Sequence, residues 1–213
     1  MDTIVAKITN DSLTDKKIYE QAGKILREGG LVAFPTETVY GLGADALDEE
    51  ASAKIYAAKG RPSDNPLIVH IADIEALYKL SCEVPDKALK LADKFWPGPL
   101  TMILKKSDIV PDSITGGLGT VAIRMPSHKV AAELIRTSGV YIAAPSANTS
   151  GKPSPTRASH VIKDLSGKID MIIEDDTVDI GVESTIIDLS EEVPTILRPG
   201  YITKEMFEEV IGG

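Results

Sequence analysis

The sequence predicts an α/β fold in a single domain, with a mixed parallel and antiparallel sheet and flanking helices. Helix and strand signals alternate along most of the 213 residues, which is the order of elements expected for an α/β architecture. The last third carries three strand signals with no helix between them, so part of the sheet is expected to be antiparallel. No repeat and no long linker divides the chain, so one domain over residues 1–213 is expected.

The individual elements follow from apolar spacing and from the residues that end helices. A first helix is predicted over Asp15–Glu28, where apolar residues recur on one face and Gly29-Gly30 follows. A second is predicted over Asp48–Lys59, with Asp48 as its N-cap and Gly60 just past its end. The other helices are predicted near 73–80, 85–95, 128–137 and 156–165 and from about 204 onward. Strands are predicted near 3–8, 31–34, 66–71, 100–104, 120–125, 140–144, 169–174, 183–189 and 194–198.

The net charge of −9 hides a positive middle segment. Residues 51–168 carry 16 Lys and Arg against 10 Asp and Glu, a net charge of +6, whereas residues 1–50 stand at −5 and residues 169–213 at −10. Taken whole, an acidic chain argues against a protein coated in basic surface for nucleic acid or anionic lipid. The positive middle is compatible with a local anion site, although charges scattered over solvated faces would give the same count.

Cysteine usage and the first residues indicate the compartment. Cys82 is alone, which excludes an intramolecular disulfide and a cysteine-based zinc cluster. The N-terminus shows no secretion signal, and no apolar run approaches the roughly 20 residues of a membrane span. The sequence therefore predicts a soluble, cytoplasmic protein with no membrane partner.

Three loops combine polar side chains with glycine and proline at predicted strand or helix ends. The first, Pro35–Gly43, brings two hydroxyls, a carboxylate and a phenol behind a buried strand, where α/β proteins place ligands. The second, Lys59–Pro66, holds Lys59 and Arg61 in a stiff loop, a pair suited to phosphate or carboxylate. The third, Ala143–Gly151, leads small residues into hydroxyl and amide groups. Each has a plain alternative: hydroxyls that cap a turn, cations at a helix C-terminus, and a surface turn.

Common nucleotide-binding and hydrolase signatures are missing. Gly151-Lys152 looks like the end of a P-loop, but Ser146 stands where the earlier glycine is required and Pro153 where Ser or Thr is required. No G-x-S-x-G, H-E-x-x-H or G-x-G-x-x-G pattern occurs. A nucleotide would therefore bind by another design.

Taken together, the short motifs of this chain are similar to those of the YrdC/Sua5 family. They run in order from about residue 15 to 205, and the ordered set is far more specific than any one motif. The motifs are Pro35–Gly43, Lys59-Gly60-Arg61-Pro62, Trp96-Pro97-Gly98-Pro99-Leu100-Thr101, Ile123-Arg124-Met125-Pro126, Pro145-Ser146-Ala147-Asn148, Ser184-Thr185 and Leu197-Arg198-Pro199-Gly200.

The resemblance implies a fold and an activity. The implied fold is a twisted mixed sheet around a large, positively lined cavity. The implied activity is that of a threonylcarbamoyl-AMP synthase, a nucleotidyltransferase that converts L-threonine, bicarbonate or CO2, and ATP to L-threonylcarbamoyladenylate and pyrophosphate for the t6A modification of tRNA. Mg²⁺ is expected to accompany ATP, with ligands that the resemblance leaves open. A transient contact with tRNA, or with the machinery that transfers the threonylcarbamoyl group to it, is also expected.

The resemblance also implies roles for individual residues. Those at the family's threonine or carbamate positions are Thr38, His70, Arg124, Ala144 (through its backbone) and Ser184. Those at its ATP positions are Arg61, Asn65, Thr120, Ser146, Ser154 and Arg198. The expected catalytic groups are Lys59, Arg61, Ser146 and Asn148, from the family's Lys-x-Arg and Ser-x-Asn signatures. The cations in this set would offset the repulsion among triphosphate, carboxylate and carbamate.

Domain organisation and two other functions stay open at this point. The chain ends shortly after Arg198-Pro199-Gly200-Tyr201, so the single-domain form without the C-terminal Sua5 domain is expected, and what closes the site is left open. YrdC-like domains also bind double-stranded RNA or tRNA, but 3 Phe, 6 Tyr and 1 Trp offer few rings for base stacking. A related carbamoyl-adenylate chemistry, as in hydrogenase-maturation proteins, is the other alternative, and the missing companion domains count against it.

Overall fold

Ten strands join into one mixed sheet in the computed structural model, which describes residues 1–175 and 178–212. The strands are β1 (Ile4–Lys7), β2 (Val32–Pro35), β3 (Tyr40–Asp45), β4 (Ile68–His70), β5 (Leu100–Lys105), β6 (Thr120–Arg124), β7 (Ile142–Ala143), β8 (Met171–Glu174), β9 (Thr185–Asp188) and β10 (Thr195–Arg198). Their order across the sheet is β1-β8-β2-β3-β7-β4-β6-β5-β9-β10. Parallel and antiparallel neighbours both occur, and β9 and β10 in the last third are antiparallel, so the predicted mixed sheet is confirmed.

Helices flank the sheet, and their ends follow the capping signals of the sequence. The helices are α1 (Ser12–Arg27), α2 (Glu49–Lys59), α3 (Glu75–Leu80), α4 (Asp86–Phe95), α5 (Asp112–Thr115), α6 (Lys129–Ser138), α7 (Ala158–Leu165) and α8 (Lys204–Ile211). Asp48 accepts hydrogen bonds from the first backbone N–H groups of α2, and Gly60 closes that helix at φ 62°, as predicted. No helix in the described ranges has the length and apolar character to cross a membrane.

Two segments differ from the prediction. The Pro35–Gly43 stretch, predicted as one ligand-binding loop, is a tight turn over residues 36–39 followed by β3. Glycine has a low strand propensity, so the sequence does not predict this strand. Packing nevertheless requires a glycine at position 43, because a Cβ on Gly43 would lie 2.7 Å from Ile142 Cγ2 and 2.8 Å from Phe34 Cε1. The strand predicted near 140–144 shortens to the two residues of β7, and the short helix α5 was not predicted.

The sheet separates two apolar cores, because alternate residues of a strand point to opposite faces. On β2, Ala33 packs into the larger core with α2 and α4, whereas Val32 and Phe34 pack into the smaller core with α1 and α6. Helices α1 and α6 contact one another over that second face. Burial on both sides explains why the central strands are apolar throughout.

The same alternation places a cavity on the sheet face opposite the larger core. On β4 and β6, Val69 and Ile123 belong to the larger core, so His70 and Arg124 face the other way, opposite one another in register. Side chains from β5, β9 and β10 continue the wall of the cavity on this face. The fold therefore gathers residues from distant parts of the chain around one opening.

Candidate active site

A cavity of about 280 Å³ collects most of the site residues that the sequence predicts. It is walled by the turn at residues 36–39, by β3, β4, β5, β6, β9 and β10, and by the loops that begin at Gly60 and Ala144. The predicted site residues that line it are Thr38, Arg61, His70, Arg124, Ala144, Ser146, Ser184 and Arg198. Three guanidinium groups therefore line one space, and guanidinium groups commonly bind carboxylates and phosphates.

The buried end of the cavity is organised by an ion pair that sequence reasoning missed. Arg124 pairs with Glu37, and both side chains are almost fully buried. The second carboxylate oxygen of Glu37 accepts hydrogen bonds from the backbone N–H groups of Ser127, at 2.8 Å, and His128, at 2.9 Å, just before α6. Glu37 thus fixes Arg124 to the start of a helix. Its presence in the Pro35–Gly43 motif was the available signal, since a buried carboxylate needs a partner.

The charge of Glu37 is retained inside the protein. Burial by itself raises the pKa of this carboxyl, but the Arg124 charge and the hydrogen bonds from Arg124 and His128 outweigh that effect and leave the pKa lowered. Burial lowers the pKa of Arg124, and Glu37 acts against the decrease. The pair is therefore ionised at neutral pH, and Arg124 brings little net charge to the cavity.

Thr38 is oriented by the same arginine. Its Oγ1 accepts a hydrogen bond from Arg124 Nη1 at 2.9 Å and lies 3.0 Å from the hydroxyl of Thr36. Thr36 donates to the carbonyl of Val39 at 2.6 Å, so Thr38 must be the donor between the two hydroxyls. Arg124 also donates from Nε to the Gly98 carbonyl, at 3.3 Å. The bonds to Glu37, Thr38 and Gly98 use three of its five N–H groups, so two are left for a ligand.

His70 completes this end of the cavity as a neutral ring. Its Nδ1 lies 3.1 Å from the carbonyl of Ile68 and 3.3 Å from that of Ile142. Since carbonyls only accept, Nδ1 carries the proton and Nε2 is the acceptor of the ring. Burial, followed by the charge of Arg124, lowers the pKa of His70 to about 4. We call Glu37, Thr38, His70 and Arg124 the buried cluster.

The exposed end is built around a second carboxylate, Glu183. Its Oε2 accepts a hydrogen bond from Arg198 Nη1 and its Oε1 accepts one from Ser154 Oγ, both at 2.7 Å. Arg198 also donates from Nε to the Ser184 carbonyl, at 3.0 Å, and from Nη2 to the Ser184 hydroxyl, at 3.2 Å. Arg61 makes one long hydrogen bond, 3.4 Å to the Pro66 carbonyl, so most of its donors face solvent or cavity. We call Arg61, Ser154, Glu183 and Arg198 the rim cluster.

Lys59 does not line the cavity, although the sequence places it among the catalytic groups. Its buried Nζ donates to the backbone carbonyls of Ser146 and Asn148 and so holds the loop that carries Ser146 against the end of α2. Burial and the nearby Arg61 charge lower the pKa of Lys59 to about 8. The Asn148 amide donates to the carbonyls of Thr149 and Lys152, so it too organises this loop.

The remaining predicted residues lie at different distances from the cavity wall. Ser154 reaches the wall through Glu183, whereas Asn65 is exposed in the loop before β4 and Thr120 begins β6, away from Arg124. Ala144 lines the cavity, but its N–H donates to the Ile68 carbonyl, so a backbone role toward a ligand would fall to its carbonyl. Asn65 and Thr120 stay predictions as ATP-binding residues.

A resident metal centre is not evident in the described residues. Within residues 1–175 and 178–212, no three His, Cys, Asp or Glu side chains are grouped to hold a metal ion. Mg²⁺ is commonly held by one or two carboxylates together with substrate phosphates, and Glu183 is the carboxylate among the residues that line the cavity. The donor set therefore fits a metal that enters with a nucleotide.

Comparison with known proteins places the chain among close relatives. Residues 24–200 match the model of the Sua5/YciO/YrdC family, which carries the description "Telomere recombination". The chain is 58% identical over 210 residues to the threonylcarbamoyl-AMP synthase of Pyrococcus abyssi, covering 99% of this chain and 61% of that protein. It is 56% identical over 206 residues to the threonylcarbamoyl-AMP synthase of Bacillus subtilis, covering 96% of this chain and 60% of that protein. The chain thus spans about three fifths of the length of these relatives.

Solved structures agree with this grouping. P. abyssi Sua5 complexed with L-threonine superposes with a TM-score of 0.93 at 55% identity, covering 100% of this chain and 61% of that one. E. coli YciO superposes with a TM-score of 0.85 at 25% identity, covering 97% of this chain and 100% of that one. The fold, the family model and the sequence identities agree, and the chain belongs to the Sua5/YciO/YrdC family.

Proposed function

We propose that this chain is a threonylcarbamoyl-AMP synthase that condenses L-threonine, bicarbonate or CO2, and ATP to L-threonylcarbamoyladenylate and pyrophosphate. The observation that carries the proposal is a single cavity with Arg124 at its buried end and Arg61 and Arg198 at its exposed end. The names of the relatives and the L-threonine complex of P. abyssi Sua5 support it. The reaction would take place in the cytoplasm, where ATP and tRNA are found.

The buried cluster suits L-threonine and its carbamate. Two N–H groups of Arg124 are available for a carboxylate, and Nε2 of His70 offers an acceptor for an amine N–H. A histidine whose pKa is lowered to about 4 is too weak a base to deprotonate an ammonium group. His70 therefore orients the substrate nitrogen by a hydrogen bond and does not remove its proton.

The rim cluster suits a triphosphate. Arg61 has most of its donors unused, and Arg198 keeps two of five after its bonds to Glu183 and Ser184. Burial lowers the pKa of Arg198 and the Glu183 charge acts against the decrease, while Arg61 is close enough for its charge to lower that pKa further. Two like charges held near one another favour an anion between them.

The chemical step needs charge stabilisation and alignment. The free amine of threonine adds to the carbon of CO2 and releases a proton to water, or adds to the carbon of bicarbonate with loss of water, and either route gives a carbamate. A carbamate oxygen then attacks the α-phosphorus of ATP, the bond to the β-phosphate bridging oxygen breaks, and pyrophosphate leaves with that oxygen. The carbamate is already an anion, so no protein nucleophile is required. Arginines that hold both anions in one cavity reduce their repulsion and bring them together.

Two further parts of the proposal concern a cation and a partner. Mg²⁺ would enter with ATP and offset phosphate charge, with protein contacts confined to the exposed end of the cavity. The product serves tRNA modification, and a contact of this chain with tRNA or with the transferring machinery stays a prediction.

Substrate dependence of pyrophosphate release tests the activity. We expect release from Mg·ATP only when L-threonine and bicarbonate are both present, with threonylcarbamoyladenylate identified by mass spectrometry. Release that depends on carbamoyl phosphate and not on L-threonine would instead point to carbamoyl-adenylate chemistry. No release under any of these conditions would contradict the proposal.

Two variants test the site. Arg61→Ala removes a phosphate donor and Lys59→Ala releases the Ser146 loop, and each is expected to reduce pyrophosphate release by about tenfold or more while the protein stays folded. Arg136→Ala is the matched control, since Arg136 is exposed on α6 and pairs with Glu133 outside the cavity. Near-normal turnover in both Arg61→Ala and Lys59→Ala would contradict the proposed site.

A further inference from the structure

Glu183 is an unexpected group in a cavity proposed for a triphosphate. A carboxylate at this place repels phosphate, and its charge partly offsets the lowering of the Lys59 pKa by burial and Arg61. Among the described residues that line the cavity, Glu183 carries the carboxylate. Its side chain is 37% exposed, so it is open to a ligand.

The hydrogen bonds of Glu183 leave it with capacity to bind a cation. Two ionised oxygens offer about four acceptor positions, and the structure fills two of them, one from Arg198 and one from Ser154. A cation could therefore bind while both contacts persist. Glu37 differs, because it accepts from Arg124, Ser127 and His128, is buried, and does not line the cavity.

The neighbours of Glu183 connect it to the groups assigned to the nucleotide. Arg198 and Ser154 both stand at ATP positions by resemblance, and one carboxylate holds them together. Gly200 keeps this arrangement tight, since a Cβ there would lie 2.7 Å from the Glu183 carbonyl oxygen and 2.7 Å from Thr185 N. The carboxylate is thus built into the nucleotide end of the cavity.

We infer that Glu183 is the protein ligand for the Mg²⁺ ion that accompanies ATP, so that this carboxylate selects Mg·ATP over metal-free ATP. The inference rests on the proposed function. A hard divalent cation is commonly held by one or two carboxylates with phosphate oxygens and water, which matches a single carboxylate beside two phosphate-binding residues. Without the cation, the same carboxylate repels ATP; with it, repulsion turns into attraction.

ATP binding by calorimetry, without L-threonine so that no turnover occurs, tests the inference. The wild-type protein is expected to bind ATP in Mg²⁺ about tenfold or more tightly than ATP in EDTA. Glu183→Gln is expected to bind ATP in EDTA more tightly than the wild type and ATP in Mg²⁺ more weakly. The ratio of the two affinities should therefore be much smaller in the variant than in the wild type. Glu83→Gln is the matched control, because Glu83 pairs with Lys105 outside the cavity, and it should behave as the wild type does.

The other outcomes separate the inference from the proposed function. If Glu183→Gln tightens ATP binding equally with and without Mg²⁺, the carboxylate only repels phosphate and the metal role is overturned. If the variant keeps the wild-type metal dependence, the metal role is likewise overturned while nucleotide binding stands. If the wild-type protein binds ATP in neither condition, the proposed function falls together with the inference. Mn²⁺ in place of Mg²⁺ gives a direct readout, since at equal occupancy by ATP its paramagnetic resonance signal should differ between the wild type, where a carboxylate binds the ion, and Glu183→Gln, where it does not.

Discussion

The two ends of the cavity use the same residue types in opposite ways. In the buried cluster the arginine–carboxylate pair is 3% and 4% exposed, and its carboxylate is filled by three donors. In the rim cluster the corresponding pair of Arg198 and Glu183 has side chains 33% and 37% exposed and open acceptor positions. One pair is part of the core, and the other is half in solvent.

The difference separates what folding supplies from what a ligand must supply. A buried pair is desolvated when the chain folds, so its orientation is fixed before any ligand arrives. A half-exposed pair is weakly held, since water and salt compete with it, and it can exchange partners at low cost. The buried cluster therefore suits a small substrate that needs a preformed site, and the rim cluster suits a polyanion that arrives with its own cation.

Replacement of the buried carboxylate of Glu37 is expected to have the largest effect and tests whether the buried cluster is fixed by folding. Glu37→Ala is expected to lower the free energy of unfolding by about 3–5 kcal/mol, because Arg124 would stay buried without a counter-charge and two backbone N–H groups would lose their acceptor. Urea unfolding of the two proteins measures the difference.

A surface pair and a milder variant control this measurement. Glu83→Ala breaks the exposed pair with Lys105 and should change stability by about 1 kcal/mol or less. Glu37→Gln keeps the shape and serves if Glu37→Ala does not fold. A loss below about 1 kcal/mol for Glu37→Ala would mean that the buried cluster is not fixed by this pair.

Acid tests whether the buried cluster is fixed in its neutral-histidine form. The folded protein keeps His70 unprotonated down to about pH 4, whereas the unfolded chain takes up the proton near pH 6.5. Since the unfolded state binds more protons in that window, stability falls as pH drops from 6.5 to 4, by up to about 3 kcal/mol from this one group. His70→Gln lacks this contribution. As pH falls from 6.5 to 4, the wild type should therefore lose stability relative to the variant.

Exposure again provides the control. His160 is exposed on α7, and His160→Gln should follow the wild-type curve of stability against pH. A difference between wild type and His70→Gln that stays constant from pH 7 to pH 4.5 would show that the ring is not held neutral by burial.

The fold was predictable where local signals and packing agree. Asp48 and Gly60 correctly predicted the two ends of α2. The strand signals of the last third, with no helix between them, correctly predicted antiparallel pairing of β9 and β10. β3 was not predictable from propensity, because Tyr40–Asp45 contains two glycines, which disfavour strands. Tertiary packing explains Gly43, which lies against Phe34 and Ile142 and leaves no room for a side chain. Strand order was also beyond the sequence pattern, since β7 joins β3 to β4 across a long stretch of chain.

The site was predictable as a set of motifs and not as a geometry. Eight of the residues assigned by resemblance line one cavity, yet Lys59 turns its amine to the carbonyls of Ser146 and Asn148. The sequence could not reveal that, because a lysine beside an arginine in a stiff loop has the same composition whether it faces a ligand or its own chain. Both carboxylates were missed as site groups for a related reason: their roles depend on Arg124 and Arg198, which lie 87 and 15 residues away in the chain.

The smallest expected effect sharpens the comparison, because it sets a buried hydroxyl pair against a hydroxyl–carboxylate bond of the same length at the rim. Thr101 Oγ1 and Ser184 Oγ are both buried and lie 2.7 Å apart, and Ser154 Oγ lies 2.7 Å from Glu183 at the rim. Thr101→Val is expected to cost about 1 kcal/mol, since the buried Ser184 hydroxyl loses one of its two side-chain partners and keeps only the bond from Arg198. Ser154→Ala is expected to cost about 0.5 kcal/mol or less, since water replaces the lost donor on Glu183.

The same two variants should reverse their order when ATP binding is measured in place of urea unfolding. Loss of the Ser154 hydroxyl removes a group that holds Glu183 in position, so Ser154→Ala should weaken Mg·ATP binding more than Thr101→Val does, although it is the more stable protein. Equal losses of stability in the two variants, or weaker ATP binding in Thr101→Val alone, would contradict the division between a folded end and a ligand-dependent end. If the order reverses, the buried bond between Thr101 and Ser184 mainly stabilises the fold, and the rim bond between Ser154 and Glu183 mainly supports ligand binding. The reason is that an exposed group can change partners at little cost to folding, whereas a buried group cannot.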